Sequence, residues 1–166
     1  MRPTSDRARE AVFDILSHGR FAASGLPFAG KTVLDAFAGT GALGLEALSR
    51  GAARAVFIDN GAAALMALRR NVAALGESER AHILSGDATR PPRAGESCAL
   101  AFIDPPYRSG LAGPALAALD RAGWLAPAAL VIIETAARER TSPPEGFTLL
   151  DERVYGAARL TFFRKE

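Results

Sequence analysis

The chain has 166 residues, of which 49% are hydrophobic and 23% charged, the balance of one globular domain with its own core. Its single cysteine, Cys98, excludes an internal disulfide or a cysteine zinc cluster, and no apolar run reaches the roughly 18 residues that a membrane span needs. The net charge of +2 permits nucleic-acid binding without requiring it, and the polar N-terminus predicts a cytoplasmic protein without a secretory signal.

Hydrophobic spacing predicts that helices and strands alternate along the chain. The first helix is expected to begin at a cap on Thr4 or Ser5 and to end at Gly19. Strands are predicted at 32–37, 54–58, 82–84, 99–103 and 130–134, helices after Gly44 and at 62–75 and 111–122, and a closing hairpin at 147–150 and 159–163. This order predicts a single α/β domain over residues 1–166, with a doubly wound, mostly parallel seven-stranded sheet and an antiparallel edge hairpin.

A glycine-rich loop follows the first predicted strand. Gly39, Gly41 and Gly44 have the spacing of a dinucleotide fingerprint, and Asp59 stands where an NAD enzyme keeps its ribose-binding acid. In a methyltransferase the same loop lies under the methionine part of the cofactor, and the acid holds the ribose. The loop alone therefore leaves both an NAD-dependent oxidoreductase and an S-adenosylmethionine-dependent enzyme open.

Four predicted strands end in acidic or glycine-rich features, at 35–44, 59–60, 86–87 and 104–107. Ligands of open α/β sheets bind beyond the carboxyl ends of the strands, where the strand order reverses. A carboxylate at that edge has no role in the core and needs water, a cation or a ligand donor. The pattern therefore predicts a binding site at this edge of the sheet.

The segment Asp104-Pro105-Pro106-Tyr107 favours methyl transfer to an aromatic amine. The lone pair of such an amine is delocalised into the ring, and oxygen acceptors for its two N–H bonds direct the lone pair towards an electrophilic methyl group. Two prolines stiffen the turn and remove competing donors, and Tyr107 offers a face for base stacking. These four residues are the predicted catalytic residues, and no metal is required.

Longer motifs resemble the RsmD-type small-subunit (16S) rRNA guanine-N2-methyltransferases. The segment 35–52, DAFAGTGALGLEALSRGA, resembles their cofactor motif, and the opening segment 2–13 matches their N-terminal motif. Asp104–Tyr107 and Tyr155-Gly156 match as well, so the resemblance extends over essentially the whole chain. It implies the class I S-adenosylmethionine-dependent methyltransferase fold. Family members usually carry a further basic, strand-rich segment before the Arg-Pro-Thr motif, and that segment is expected to contact RNA.

The resemblance also implies roles for individual residues. S-adenosylmethionine would be held at its methionine part by Asp35, Phe37, Gly39 and Gly41, at its ribose by Asp59 and at its adenine amine by Asp87, with Asn60 and Ala88 beside them. Asp104 would orient the guanine amine, and Tyr107 would stack on the base. The helix of residues 1–20 would cover the cofactor site. Substrate RNA would be faced by Arg2, Arg7, Arg9 and Tyr155.

The implied reaction is methyl transfer to guanine N2 of 16S rRNA, in a small ribosomal particle and by a monomer. Three alternatives remain open. An amino-methyltransferase of adenine N6 in DNA, or of another RNA, shares the Asp-Pro-Pro-Tyr motif, although no separate target-recognition region is evident. An NAD-dependent oxidoreductase would use the glycine loop, although no proton donor is evident near a hydride site. A binding module would keep the fold without activity.

Overall fold

The computed structural model describes residues 6–166, so the predicted cap at Thr4 or Ser5 lies outside the described residues. The helices are α1 (Asp6–Ser17), α2 (Ala42–Ser49), α3 (Ala62–Ala74) and α4 (Ala112–Arg121), with a short 3-10 turn at Gly19–Ala22. The strands are β1 (Thr32–Ala36), β2 (Arg54–Asp59), β3 (Ala81–Ser85), β4 (Cys98–Ile103), β5 (Leu125–Ala136), β6 (Phe147–Tyr155) and β7 (Ala158–Lys165). Every predicted helix and strand is present in this part of the chain.

Two strands are markedly longer than predicted, since β6 continues to Tyr155 rather than residue 150 and β5 begins at Leu125 rather than at residue 130. The register with β4 shifts between the pairs Cys98–Leu125 and Leu100–Leu130. Ala128 has a φ of 63° inside this irregularity. Pro127 and the left-handed Ala128 are typical of a bulge, which explains why the strand pattern is not visible before residue 130.

The strands form one sheet in the order β3-β2-β1-β4-β5-β7-β6. The first five strands along the chain pair in parallel, and β7 pairs antiparallel with both β5 and β6. The doubly wound, mostly parallel sheet with an antiparallel edge hairpin is thus confirmed. The strand order reverses between β1 and β4, so a crevice opens beyond the carboxyl ends of these two strands.

Successive strand residues alternate between two apolar layers, one on each face of the sheet. On β2, Phe57 belongs to the layer beneath α1, α2 and α3, whereas Ile58 belongs to the layer beneath α4. The Phe13 ring of α1 lies 5.7 Å from the Phe102 ring of β4, measured between centroids. Because both faces are covered, the strand ends are held rigidly and can position polar groups. No helix within residues 6–166 combines the length and hydrophobicity needed to cross a lipid bilayer.

Gly44 is the point where α2 approaches the sheet most tightly. A Cβ atom at this position would lie 2.8 Å from Cζ of Phe57, whose ring is fully buried. Such a separation is shorter than van der Waals contact between carbon atoms. The third glycine of the fingerprint is therefore required for packing of α2 on β2.

Gly44→Ala is expected to lower the free energy of unfolding by about 1–3 kcal/mol, because the added methyl group overpacks a filled core. Gly113→Ala in α4 is the control, since its Cβ would meet nothing within 4 Å. The control should be neutral or stabilised by up to about 1 kcal/mol through better helix propensity. Urea denaturation measures both, and equal losses in the two variants would contradict the packing role.

Candidate active site

A cavity of about 340 Å³ opens at the carboxyl ends of β1, β2 and β3, next to the loop that follows β4. Five of the predicted cofactor residues and one predicted catalytic residue line it: Phe37, Asp59, Asn60, Asp87, Ala88 and Pro106. Gly61, Gly86, Thr89 and Leu111 complete much of the remaining wall. The structure therefore brings together residues from four separate loops, as the row of strand-end acids predicted.

Asp59 holds the backbone on both sides of this cavity. Its Oδ2 accepts a hydrogen bond from the Gly39 N–H and its Oδ1 accepts one from the Gly61 N–H, both at 2.8 Å. A carboxylate oxygen can accept more than one hydrogen bond, so each oxygen keeps capacity for a ligand hydroxyl. Asp59 is thus both a support of the glycine loop and a fixed acceptor in the cavity wall.

Asp35 lies beneath the glycine loop and is only 1% exposed. Its Oδ2 accepts a hydrogen bond from the Gly44 N–H at 2.9 Å. Burial raises the pKa of Asp35 well above its usual value, the Gly44 hydrogen bond opposes this, and the charges of Asp104 and Asp59 raise the pKa further. The carboxyl groups at the ends of β1, β2 and β4 are therefore near enough to affect one another's charge.

All the predicted cofactor contacts stay predictions, and Asp35, Gly39 and Gly41, which were assigned to the methionine part, do not line this cavity. Gly41 precedes α2 with a φ of 83°, and its N–H donates to the Ala38 carbonyl at 2.8 Å. Within residues 6–166, no group of three or more His, Cys, Asp or Glu residues is placed to hold a metal ion. The expected metal-free reaction likewise stays a prediction.

The carboxyl groups around the glycine loop disfavour a dinucleotide. In dinucleotide enzymes the pyrophosphate binds to N–H groups at the start of the helix. Here the Gly44 N–H in the first turn of α2 already donates to Asp35. A pyrophosphate would add negative charge beside Asp59 and Asp104, whereas a ligand with an ammonium and a sulfonium group would be attracted. The geometry favours a cationic cofactor.

Asp87 presents an ionised acceptor at the other end of the cavity. Its Oδ1 accepts hydrogen bonds from the Thr89 hydroxyl at 2.7 Å and from the Thr89 N–H at 2.8 Å. These two bonds, the hydroxyl bond most strongly, lower the pKa of Asp87 against a small opposing effect of burial. Because both bonds end on Oδ1, Oδ2 can accept from a ligand amine such as that of adenine.

The Asp104–Tyr107 loop lies between the cavity and a neighbouring groove. Asp104 follows β4 directly, and its N–H approaches the Ala36 carbonyl of β1 at 3.5 Å. Pro105 is buried, Pro106 lines the cavity, and Tyr107 lines the groove. This loop therefore forms a wall between two hollows, where two ligands can meet.

Left-handed backbone occurs at two non-glycine residues next to this wall. Phe37, which lines the cavity, has a φ of 59°, and Arg108, which follows Tyr107, has a φ of 60°. Such conformations cost about 1–3 kcal/mol each and persist only where surrounding contacts enforce them. They cluster at functional sites, which agrees with the predicted site at this edge.

Glu139 enforces the conformation after Tyr107 and was missed by sequence reasoning. Its Oε1 accepts a hydrogen bond from the Arg108 N–H at 2.8 Å, and its Oε2 accepts one from the Gly110 N–H at 3.3 Å. The Thr135 hydroxyl donates to the Glu139 carbonyl at 2.6 Å. Glu139 belongs to no motif, and its position shortly after a strand was the only signal in the sequence.

Two of the arginines predicted to face RNA, Arg7 and Arg9, lie on α1 within the described residues. Arg7 is exposed, but Arg9 forms ion pairs with Asp6 at 3.0 Å and with Glu46 of α2 at 3.8 Å. Arg2 lies outside the described residues. No residue of α1 lines the cavity. The cover over the cofactor site, drawn from residues 1–20, and the RNA contacts of these arginines stay predictions.

Tyr155 lies at the end of β6, away from the cavity. It lines a separate hollow between α1 and β6, together with Asp14 and Arg153. Its side chain forms a hydrogen bond with Arg153 that raises the pKa of that arginine. The predicted contact between Tyr155 and RNA also stays a prediction.

The profile of one protein family, described as conserved hypothetical protein 95, matches residues 1–164. The chain belongs to this family. Ribosomal RNA small subunit methyltransferase D of Haemophilus influenzae is 34% identical to it, covering 94% of this chain and 79% of that protein. The protein of the same name from Escherichia coli K12 is also 34% identical, covering 100% and 80%. The resemblance inferred from the motifs is confirmed.

Solved structures agree with this membership of the conserved hypothetical protein 95 family. The putative methyltransferase yhhF from Escherichia coli has a TM-score of 0.82 and 33% identity, covering 100% of this chain and 88% of that one. An RNA methyltransferase from Salinibacter ruber in complex with S-adenosyl-L-homocysteine has a TM-score of 0.71 at 13% identity, which shows a shared fold alone. The family member has the class I S-adenosylmethionine-dependent methyltransferase fold.

Asp35→Asn keeps an oxygen acceptor for the Gly44 N–H but cannot ionise. Because the pKa of Asp35 is raised in the folded protein, its contribution to stability is full below the ordinary value of 3.8 and is lost as the pH rises through the higher folded value. We expect Asp35→Asn to gain stability over the wild type by an amount that grows as the pH rises above the ordinary carboxyl pKa of 3.8 towards the higher folded value. Thermal melts without cofactor measure the stability difference between the two proteins at each pH. A difference independent of pH would contradict the raised pKa of Asp35.

Glu139→Ala should release the segment after Tyr107, because two main-chain N–H groups lose their acceptor. Hydrogen–deuterium exchange followed by mass spectrometry should show faster exchange at Arg108 and Gly110. Glu145→Ala is the matched control, an exposed glutamate on the same connection between β5 and β6. Unchanged exchange in Glu139→Ala would show that the two hydrogen bonds do not hold this segment.

Proposed function

We propose that this chain transfers a methyl group from S-adenosylmethionine to the exocyclic N2 of a guanine in small-subunit rRNA. The position of the Asp104–Tyr107 loop carries the proposal. Pro106 lines the cofactor-sized cavity on one side, and Tyr107 lines the groove on the other. A base stacked on Tyr107 would therefore lie next to a cofactor in the cavity. The names of the two 34% identical relatives support rRNA as the substrate.

The cavity suits the adenosine part of the cofactor. Asp59 would accept from the ribose hydroxyls, and Asp87 would accept from the adenine amine. Phe37 and Ala88 supply apolar surface for the flat ring. The carboxyl group of Asp104 would stabilise the positive charges at the methionine end. When bound, S-adenosylmethionine would supply a methyl group already activated by its sulfonium, and the bond from this carbon to sulfur would break as the bond to N2 forms, which leaves S-adenosylhomocysteine.

The Asp104–Tyr107 loop would orient the guanine amine. The N2 lone pair is delocalised into the base, so the amine is a weak nucleophile. The Asp104 carboxylate accepts one N–H and the Pro105 carbonyl accepts the other, which directs the lone pair towards the methyl group. The methylated nitrogen then loses one proton to solvent, because a cation at this position is strongly acidic. Positioning supplies the remaining rate acceleration.

The substrate is proposed to be an assembling or assembled small ribosomal particle, which would place the protein in the cytoplasm. Labelled S-adenosylmethionine should be offered in parallel with unmodified small particles, naked rRNA, tRNA and DNA. We expect the label in particles or rRNA, and digestion to nucleosides should yield N2-methylguanosine. Label found as N6-methyladenine in DNA would replace this proposal with the adenine alternative.

Asp104→Ala should reduce kcat by about 100-fold or more, since the amine is no longer oriented towards the methyl group. Asp104→Asn is the matched comparison, because its amide oxygen can still accept one N–H. Such an acceptor contributes roughly 1.4 kcal/mol, which corresponds to a tenfold difference in rate. The asparagine variant should therefore retain about tenfold more activity than the alanine variant. Stabilisation by S-adenosylhomocysteine should persist in both variants, though weaker in Asp104→Ala, because Asp59 and Asp87 would still hold its adenosine part. Near-normal methylation by Asp104→Ala would overturn the assignment of Asp104.

A further inference from the structure

A second hollow lies beside Tyr107, outside the cofactor cavity. This groove has a volume of about 740 Å³ and shares no lining residue with the cavity. Its walls come from the loop after β4, from the end of β5 with the turn that follows, and from the hairpin between β6 and β7. The lining residues are Tyr107, Arg108, Gly110, Ala136, Ala137, Arg138, Glu139 and Ala157.

The groove is smooth and apolar along much of its surface. Gly110 and the three alanines present no side-chain hydrogen-bonding groups. A flat ring can lie against such a surface whatever its pattern of donors and acceptors. Together with the Tyr107 ring, this lining is of the kind that binds single-stranded nucleic acid without strong sequence preference.

The charge of the groove is positive. Glu139 is the one carboxylate among its described lining residues, and its oxygens accept hydrogen bonds from the Arg108 and Gly110 N–H groups. Its charge is thus directed at main-chain donors. Arg108 and Arg138 are exposed, and neither takes part in an ion pair within residues 6–166. Two guanidinium groups therefore dominate the electrostatic potential here.

Glu139 also links the two arginines to the reactive loop. Arg108 directly follows Tyr107, and Arg138 directly precedes Glu139. The 2.8 Å hydrogen bond from the Arg108 N–H to Glu139 Oε1 joins the two loops. The main chain that carries the two arginines is therefore held beside Tyr107, so that both side chains can reach a strand whose base stacks there.

We propose that this groove binds the RNA strand adjacent to the target base, with Arg108 and Arg138 contacting its phosphates. The inference rests on the proposed function and deepens it, because it assigns a path to the strand that delivers the guanine. A single strand fits better than a duplex, since the target base must leave its stack to reach Tyr107. An acidic protein segment would meet the same charges but would leave the apolar floor and the Tyr107 ring unused.

The test compares Arg108→Gln, Arg138→Gln and the double variant with Arg121→Gln. Arg121 is exposed at the end of α4, shortly before β5 begins. It therefore lies near the amino ends of the strands, whereas the groove lies at their carboxyl ends. Affinity should be measured over a series of salt concentrations for a fluorescein-labelled single-stranded RNA and for unmodified small ribosomal particles. For the single strand, the slope of log K against log salt should fall by about 0.7 per lost phosphate contact, hence about 1.4 in the double variant.

Arg121→Gln should keep the wild-type slope and affinity, and all variants should bind S-adenosylhomocysteine as the wild type does. The inference is overturned if the double variant keeps the wild-type slope, if Arg121→Gln weakens binding equally, or if the wild type binds neither RNA probe. A polyglutamate peptide that displaces the RNA at equal charge would also overturn it.

If the wild type methylates rRNA while the double variant binds normally, the groove assignment fails and the proposed function stands. If the arginines bind RNA but no RNA is methylated, the proposed function fails and the groove assignment stands.

Discussion

The hydrogen bonds from glycine N–H groups to Asp35 and Asp59 are the constraint on which the site depends. Asp35 accepts from Gly44 and Asp59 accepts from Gly39, so the loop between β1 and α2 is tied to the ends of two strands. These bonds place carboxyl groups where a dinucleotide enzyme would bind pyrophosphate. The same contacts thus hold the backbone and set the charge of the ligand that the site accepts.

A second carboxylate contact of the same kind organises the other side of the site. Glu139 accepts two main-chain N–H groups just after Tyr107, in a segment whose prolines leave few donors of its own. The Asp104–Tyr107 loop is therefore held from β1 at its start and from the turn after β5 at its end. A wall held at both ends can keep a base and a cofactor at a fixed separation, which methyl transfer requires.

Much of the site could be predicted because its residues follow strand ends in recognisable motifs. Phe37, Asp59 and Asp87, for which the family resemblance implied cofactor contacts, line one cavity, and the contacts themselves stay predictions. Other roles could not be predicted, since they depend on partners distant in the chain. Arg9 carries the charge expected of an RNA contact, yet it pairs with Glu46 because α1 packs beside α2. Glu139 has no motif and became visible only through its bonds to Arg108 and Gly110.

The order of helices and strands, the class of sheet, the family and the Asp-Pro-Pro-Tyr loop were determined by the amino-acid sequence itself. These features follow from hydrophobic period, turn residues and short motifs, which act over a few neighbouring residues. Only the tertiary structure decided which carboxylates hold the backbone, why Gly44 must be small, and where a positively charged groove meets Tyr107. Such contacts join residues far apart in the chain, and their existence depends on how the layers pack around the sheet.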